Sequence, residues 1–235
     1  MKIGIVGTGN MGRVLGLALA ERGHQVFFGA RNIEKAELAA KLGTSNTFFG
    51  DNQQAAEFGD VIYYNPRDVS PTDVLSNPDV LNGKVVIESH NGSVPSDFSF
   101  APVIESRAET LQSQIPEAQV VAAFNTITQE IFEHANRSLD GLNIACFIAG
   151  DQPEAREIVA QLVASLGFTP VDCGELRQAR LIESAADLVR MLLYKQKSPW
   201  ASFSFTQIPP LQPSRLGGRQ ASSLTRATRG LGSND

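Results

Sequence analysis

Two cysteines, three histidines, three methionines and one tryptophan are few for a chain of 235 residues. Cys146 stands in an apolar run and Cys173 in a turn, which gives neither a disulfide framework nor the paired spacing of a metal site. A reduced, cytoplasmic compartment is the simplest fit. No run approaches 18 continuous apolar residues, so no membrane span is expected. A basic surplus is also missing. The net charge is −5, and residues 199–235 carry four Arg against one Asp, which leaves the remainder at −8. An acidic body of this kind does not point to nucleic acid as a partner. No internal repeat appears.

What is present is ordinary for a soluble globular protein: 42% hydrophobic and 19% charged residues. That content can bury the core of one large domain, or of one domain with a small appendage. Lys2, the apolar stretch behind it and Ala18-Leu19-Ala20 imitate a secretory signal. Three glycines and Arg13 interrupt that stretch, and the same residues read fully as strand, turn and helix.

The turn in question is Gly7-Thr8-Gly9-Asn10-Met11-Gly12, a G-x-G-x-x-G that follows the strand Lys2-Ile3-Gly4-Ile5-Val6. Gly7 permits the tight turn, Gly9 lets backbone N–H groups approach a pyrophosphate, and Gly12 lets the helix pack against its strand. The start of the helix, with its partial positive charge, then faces the phosphates. A dinucleotide site is therefore expected. The second strand, His24-Gln25-Val26-Phe27-Phe28-Gly29, ends where an NAD site carries Asp or Glu for the ribose hydroxyls. Gly29 stands there instead. Ala30-Arg31-Asn32 follow, and Lys35 comes one helical turn later, so two cations lie where a 2′-phosphate would sit. Without a carboxylate there is no like-charge repulsion, and Arg31 can fork onto phosphate oxygens. NADP is expected over NAD.

Short apolar runs alternate with helical patterns. Strands are expected near 2–6, 25–29, 47–49, 61–64, 84–88, 119–123 and 143–149. Helices are expected near 11–22, 33–42, 53–58, 72–77, 108–114, 129–135, 153–166 and 178–196. This alternation implies an α/β, Rossmann-type doubly wound, mostly parallel sheet with a small C-terminal helical appendage. Ligands bind at the carboxyl ends of such strands, so the loops after Val6, Gly29, Tyr64, Glu88 and Ala123 are where chemistry is sought. Tyr64 and Asn65, at the end of the fourth strand, join the expected cofactor residues. The last helix carries Leu181, Ile182, Ala185, Leu188, Val189 and Leu192 on one face, to dock on the body or on a second subunit. The organisation expected is a dinucleotide-binding domain over 1–150 and an extension with the long helix over 151–198. A tail rich in Pro, Ser and Arg follows over 199–235, with 213–235 largely disordered.

Four blocks go beyond a generic dinucleotide domain. They are the glycine turn; Gly29-Ala30-Arg31-Asn32; Val121-Ala122-Ala123-Phe124-Asn125-Thr126; and the late pair Phe147-Ile148-Ala149-Gly150-Asp151 and Gly167-Phe168-Thr169-Pro170-Val171-Asp172-Cys173-Gly174-Glu175-Leu176, which ends in Ala179-Arg180 and Glu183. On these the chain, from Met1 to about Gln196, resembles the deazaflavin-dependent (coenzyme F-420-dependent) NADP oxidoreductases. In the wider superfamily the same module serves as the NADPH-oxidising domain of ferric reductases, which use a flavin. The resemblance implies NADP(H) as cofactor, and deazaflavin, FMN or FAD as co-substrate. It places the 2′-phosphate near Ala30, Arg31 and Lys35, the pyrophosphate on the loop from Thr8 to Met11, and the nicotinamide between Thr8 and Asn125-Thr126-Ile127-Thr128-Gln129. It also implies a homodimer, and a contact between the helix of Arg180 and Glu183 and the turn Asp172-Cys173-Gly174. There are two departures. Ala30 replaces a frequent Ser, which removes a hydroxyl donor. In Glu88-Ser89-His90-Asn91-Gly92 relatives have a shorter polar stretch, so His90 is unusual while Asn91 matches.

Hydride transfer to a flavin-like ring needs no protein nucleophile, because both partners carry their own reactive centres. The protein has to hold two rings face to face and exclude water. The absence of an evident triad or metal cluster accords with that. Thr8 and Ile127 are expected at the nicotinamide face, and Asn91 and Asn125 at its carboxamide or at the acceptor's polar edge. His90 is the catalytic candidate, a group able to supply or withdraw a proton, set against a plain hydrogen-bonded loop histidine. Two other functions share this first domain. One is an imine or carbonyl reductase of the pyrroline-carboxylate or ketopantoate type, which usually adds a large helical domain. The other is a non-catalytic NADP-binding regulator, since fold and nucleotide binding do not establish turnover.

Overall fold

The first strand, Lys2–Val6 (β1), is buried from Ile3 onward because apolar side chains lie on both of its faces. The structure, a computed structural model, describes residues 1–133, 142–197 and 201–206. Seven further strands join β1 among these residues: β2 (Gln25–Gly29), β3 (Thr47–Gly50), β4 (Val61–Tyr64), β5 (Val85–Glu88), β6 (Gln119–Ala122), β7 (Ala145–Gly150) and β8 (Thr169–Asp172). The helices between and after them are α1 (Asn10–Glu21), α2 (Ile33–Lys41), α3 (Asn52–Phe58), α4 (Pro71–Val74), α5 (Arg107–Gln114), α6 (Gln129–Glu133), α7 (Pro153–Ser165) and α8 (Ala179–Gln196).

The sheet order is β3-β2-β1-β4-β5-β6-β7-β8. All neighbours run parallel except β6 and β7, which are antiparallel. Strands buried on both faces read as continuous apolar runs rather than alternating ones. The side-chain period of two then divides each strand between two cores. Ile3, Ile5, Val61, Tyr63, Val85 and Ile87 pack on one face with Val14, Leu15 and Leu19 of α1. Val6, Ile62, Tyr64 and Val86 pack on the other, with Ala55 and Ala56 of α3, Leu111 of α5 and Ile182 of α8. The order changes direction between β1 and β4, the crevice where open α/β sheets take their ligands.

The mostly parallel doubly wound sheet agrees with the sequence reading. β8 is the strand it did not name. Its four residues include Pro170, which offers no ladder N–H, and all four are partly or fully exposed. Such a strand is tolerated at a sheet edge, and its pattern is too short to separate from a lead-in to the helix. Pro and Ser content also hid the role of residues 201–205. Ala145 N donates to the Phe203 carbonyl at 2.8 Å, and Ile144 bridges Ser204, so this segment runs beside the start of β7. The stretch expected to be disordered, 213–235, lies outside the described residues, as do His134 and Ala135 at the expected end of α6.

The last helix docks on the body, where Ala179 and Ile182 join the core beside Leu111 of α5. Arg180 forks onto Glu109 of α5, with Nε to Oε2 at 2.8 Å and Nη2 to Oε1 at 2.6 Å. Glu183, buried, accepts from the Arg107 N–H at 2.7 Å. Both of these contacts reach α5, while Cys173 of the turn at 172–174 packs against the cluster that holds Ala179 and Ile182 of α8. Ile182, Ala186 and Val189 are buried, while Leu181, Leu188 and Leu192 remain exposed, so the expected apolar face is split between core and surface. No helix among the described residues is long and apolar enough to cross a membrane.

Candidate functional site

The glycine turn after β1 is tied down from two sides. Gly7 takes φ +88°, a left-handed conformation that glycine adopts without a Cβ penalty. The Gly29 carbonyl, at the end of β2, accepts from Gly7 N at 3.1 Å, Thr8 N at 3.0 Å and Thr8 Oγ1 at 2.9 Å. Gly7 N also donates to Asn52 Oδ1 at 3.0 Å. From β4, Asn65 Nδ2 donates to the Gly7 carbonyl at 2.9 Å. A Cβ at Gly12 would stand 2.6 Å from that carbonyl, so α1 can lie this close to the turn only with glycine there. Gly9 is the N-cap of α1, which has no side-chain cap and no acidic residue in its first turn. Its orphan N–H groups and dipole are thus left for an anion.

Two clefts open on either side of this turn. The first, about 690 Å³, is bounded by Gly7, Thr8, Ala30, Arg31, Asn32 and Lys35, with Asp51, Gln53 and Asp73 opposite. Arg31 and Lys35 are exposed, and neither makes an ion pair with a described residue. Asn32 caps α2 by accepting from Glu34 N at 3.0 Å. The missing carboxylate at the end of β2 has a steric reason as well as an electrostatic one. A Cβ on Gly29 would lie 2.6 Å from the Ala55 Cβ and 2.8 Å from the Asp51 carbonyl oxygen, so the approach of α3 forbids any side chain here.

The second cleft, about 600 Å³, shares Gly9 and Asn65 with the first. Asn10 and Met11 form its near wall, Ser89, His90 and Asn91 its floor, and the loop from Phe124 to Glu130 its far wall. Ala186, Val189 and Arg190 of α8 complete it. Phe124 holds φ +67°, a strained value for a non-glycine residue that costs on the order of 1–3 kcal/mol. Asn91 and Asn125 clasp the two loops together. Asn91 Nδ2 donates to the Asn125 carbonyl at 2.8 Å, and Asn125 Nδ2 donates to the His90 carbonyl at 3.1 Å. Each amide nitrogen thus spends one of its two N–H groups on the clasp, and both Oδ1 atoms are buried without a protein partner. Orphaned acceptors of this kind are costly unless a donor meets them.

Behind the floor, the backbone N–H and Nδ1 of His90 meet Glu88 Oε1 at 2.7 Å and 3.0 Å. Glu88 is 3% exposed. Tyr63, fully buried, bonds Ser89 through its hydroxyl, and burial drives that phenol well above its ordinary range. Cys146 is buried and Cys173 half-buried; burial pushes the Cys146 thiol up to about 12, and Phe124 N donates to its sulfur at 3.4 Å.

The expected site residues thus converge in two groups. Gly7, Thr8, Ala30, Arg31, Asn32 and Lys35 line the first cleft; Asn10, Met11, His90, Asn91, Asn125 and Ile127 line the second; Gly9 and Asn65 belong to both. Thr8 lines the first cleft and Ile127 the second. Gly12 serves helix packing. Tyr64 lines neither cleft: its hydroxyl donates to the Val69 carbonyl at 2.6 Å and its ring is in the core. Three further groups escaped the sequence reading. Arg67, exposed and in no ion pair with a described residue, was signalled by its place just beyond Asn65-Pro66. Glu88 was signalled as the one charge closing an apolar strand. Arg190, which donates from Nη1 to the Gly92 carbonyl at 2.5 Å, had no local signal. Among the described residues, no group of three His, Cys, Asp or Glu stands together to hold a metal ion.

A family model for NADP oxidoreductases dependent on coenzyme F420 matches residues 2–92. Over 226 residues the chain is 30% identical to an F420-dependent NADP reductase of Methanocaldococcus jannaschii, with 88% of this chain and 99% of that one covered. It is 32% identical over 183 residues to metalloreductase STEAP3 of Rattus norvegicus, covering 78% of this chain and 36% of that protein. A solved structure of a candidate F420-dependent NADP reductase from Arthrobacter sp. FB24 superposes with a TM-score of 0.76 at 23% identity, covering 88% of this chain and all of that one. That last likeness shows the fold.

Proposed function

Since this chain belongs to the family of coenzyme F420-dependent NADP oxidoreductases, we infer that its two clefts hold NADP(H) and a ring acceptor. It is an NADP-dependent oxidoreductase, passing hydride between NADP(H) and a deazaflavin- or flavin-type acceptor. The observation that carries the placement is the pair of clefts meeting at the glycine turn, one with two unpaired cations and the other with two orphaned amide oxygens. Arg31 and Lys35 take the 2′-phosphate, and the first turn of α1 takes the pyrophosphate. The nicotinamide carboxamide offers two N–H donors, which matches the Oδ1 atoms of Asn91 and Asn125. When both partners are bound, the nicotinamide and the acceptor ring supply the hydride chemistry themselves. Ile127 and Met11 then exclude water, and His90 exchanges the accompanying proton.

The chain works as a homodimer in this reading. Leu181, Leu188 and Leu192, spaced along one face of α8 and 68%, 44% and 38% exposed, are the apolar surface that supports it. Two free thiols support a reducing compartment, the cytoplasm. The acceptor is tested by anaerobic stopped-flow mixing of protein and NADPH with deazaflavin, FMN, FAD, ferric chelates and cyclic imines in turn. NADPH oxidation by a ring acceptor alone is expected. Turnover of imines only, or tight NADPH binding with no oxidation by any acceptor, would overturn the assignment. Sedimentation velocity checks the dimer, which Leu188→Glu should dissociate.

A further inference from the structure

The floor of the second cleft has a built back. Glu88 Oε1 accepts twice from one residue, through the backbone N–H and Nδ1 of His90. Its other oxygen, Oε2, is buried with no protein partner. Beyond Glu88 and His90 lies a small cavity of about 60 Å³, also lined by Tyr64, Asp68 and Arg107, with room for a few waters. His90 belongs to both this cavity and the acceptor-side cleft, so its ring forms part of the wall between them.

We propose that Glu88 is the positioning residue for proton exchange at the acceptor: it holds His90 in the Nδ1–H tautomer and so leaves Nε2 as the nitrogen that gives or takes the proton. The proposal rests on the reading of His90 as the proton-exchanging group. A neutral imidazole carries one N–H, and the partner of one nitrogen decides which. A buried carboxylate accepts only, so Nδ1 must be the donor. The geometry is the carboxylate–imidazole arrangement by which other enzymes fix a tautomer. The bookkeeping closes with solvent as the one further reactant. As the acceptor ring gains two electrons and one hydrogen by hydride transfer, the Nε2–H bond of imidazolium breaks and an N–H bond on the ring forms. Nε2 of the neutral ring, Nδ1–H still on Glu88, then regains its proton from hydronium in the solvent, so that one solvent proton and the hydride of NADPH are consumed per turnover. In the opposite direction the neutral ring accepts that proton at Nε2.

Every charged or titratable group around Glu88 is in place without competing for Oε1. Tyr63 of β4 is occupied with Ser89. Arg107, at the start of α5, donates from Nε to Asp68 at 3.1 Å, and its Nη1 stands 3.9 Å from Glu183 of α8. Tyr64 is bonded to Val69. The small cavity has the volume for a water that would serve as donor to Oε2.

The test begins with the protein alone, by ¹⁵N imidazole NMR above the titration range of His90. The wild type should show the Nδ1–H tautomer, and Glu88→Met, which removes both acceptors, should shift His90 toward Nε2–H. In single turnovers with NADPH and the acceptor found above, Glu88→Met should slow the proton-coupled step about 10- to 100-fold while NADPH affinity stays within twofold. Glu88→Gln keeps an acceptor oxygen at this position, so it should retain the Nδ1–H tautomer and recover most of the rate. An Nε2–H tautomer in wild type or in Glu88→Gln, or a wild-type rate and solvent isotope effect in folded Glu88→Met, would overturn the proposal. A His90→Gln variant with full rate would instead sink the reading of His90 itself, whatever tautomer the wild type shows.

Discussion

The hydroxyl of Thr8 donates to the carbonyl oxygen of Gly29 across 2.9 Å, fastening the glycine turn after β1 to the end of β2. Thr8→Val keeps the shape and removes that bond, worth about 0.5–1.5 kcal/mol net. The turn should hold its form through the two N–H bonds that remain but fluctuate more. The expected outcome is NADPH binding weakened roughly three- to tenfold, read by calorimetry, with little change in thermal stability.

Arg31 pairs with no described residue, so in the proposed placement Arg31→Ala acts on the ligand. A charge-assisted bond to phosphate is worth about 1.5–3 kcal/mol. NADPH affinity should fall roughly 10- to 100-fold, while NADH affinity stays within about twofold. Equal weakening of both would mean that the 2′-phosphate lies elsewhere.

The steric closure at Gly29 makes a less obvious forecast. Installing Asp at the end of β2 is the natural route to an NAD preference, but here the new Cβ meets Ala55 and the Asp51 carbonyl. Gly29→Asp should cost stability, on the order of 1–3 kcal/mol or more, without giving an enzyme that prefers NADH. Denaturant melts of Gly29→Ala and Gly29→Asp check this: the alanine variant alone should already be measurably destabilised.

Glu183 supplies a pH dependence. Burial pushes its carboxyl up to about 7, the negative charge of Glu88 adding and the Arg107 N–H opposing. With the folded value above the unfolded 4.5, the folded protein holds the proton more tightly. The resulting stability is fully present below about 4.5 and is lost as pH rises through about 7. Stability should fall across that window by roughly 2–3 kcal/mol. Glu183→Gln, which can still accept from Arg107 N, should flatten the fall. Urea denaturation at pH 5, 6, 7 and 8 measures both slopes.

Most of the fold could be read from the chain because strands buried on both faces leave unbroken apolar runs, and β1, β2, β4, β5 and β6 all do. β8 could not, because an edge strand of four residues with a proline carries no period. The same divide holds at the site. The glycine turn, Arg31 and Asn125 are local signals, fixed by what a phosphate or a loop demands of its nearest residues. Arg190 reaches the cleft only because α8 folds back across it. The pairing of His90 with Glu88 joins residues two apart, yet only the burial of Glu88 gives the pairing meaning. Arg180 stood out in the chain, but its partner Glu109 lies 71 residues away on α5, a separation that no local pattern reports.

Gly9 and Asn65 belong to both clefts, so the placement proposed above makes the two ligands thermodynamically dependent on each other. A dinucleotide that stills the turn on one side also prepares a wall of the other, so the acceptor should bind the cofactor-loaded protein more tightly than the empty one. By reciprocity the acceptor tightens the dinucleotide by the same factor. The waist between the clefts is thus where the proposed coupling resides, and because that coupling is symmetric it favours neither order of arrival.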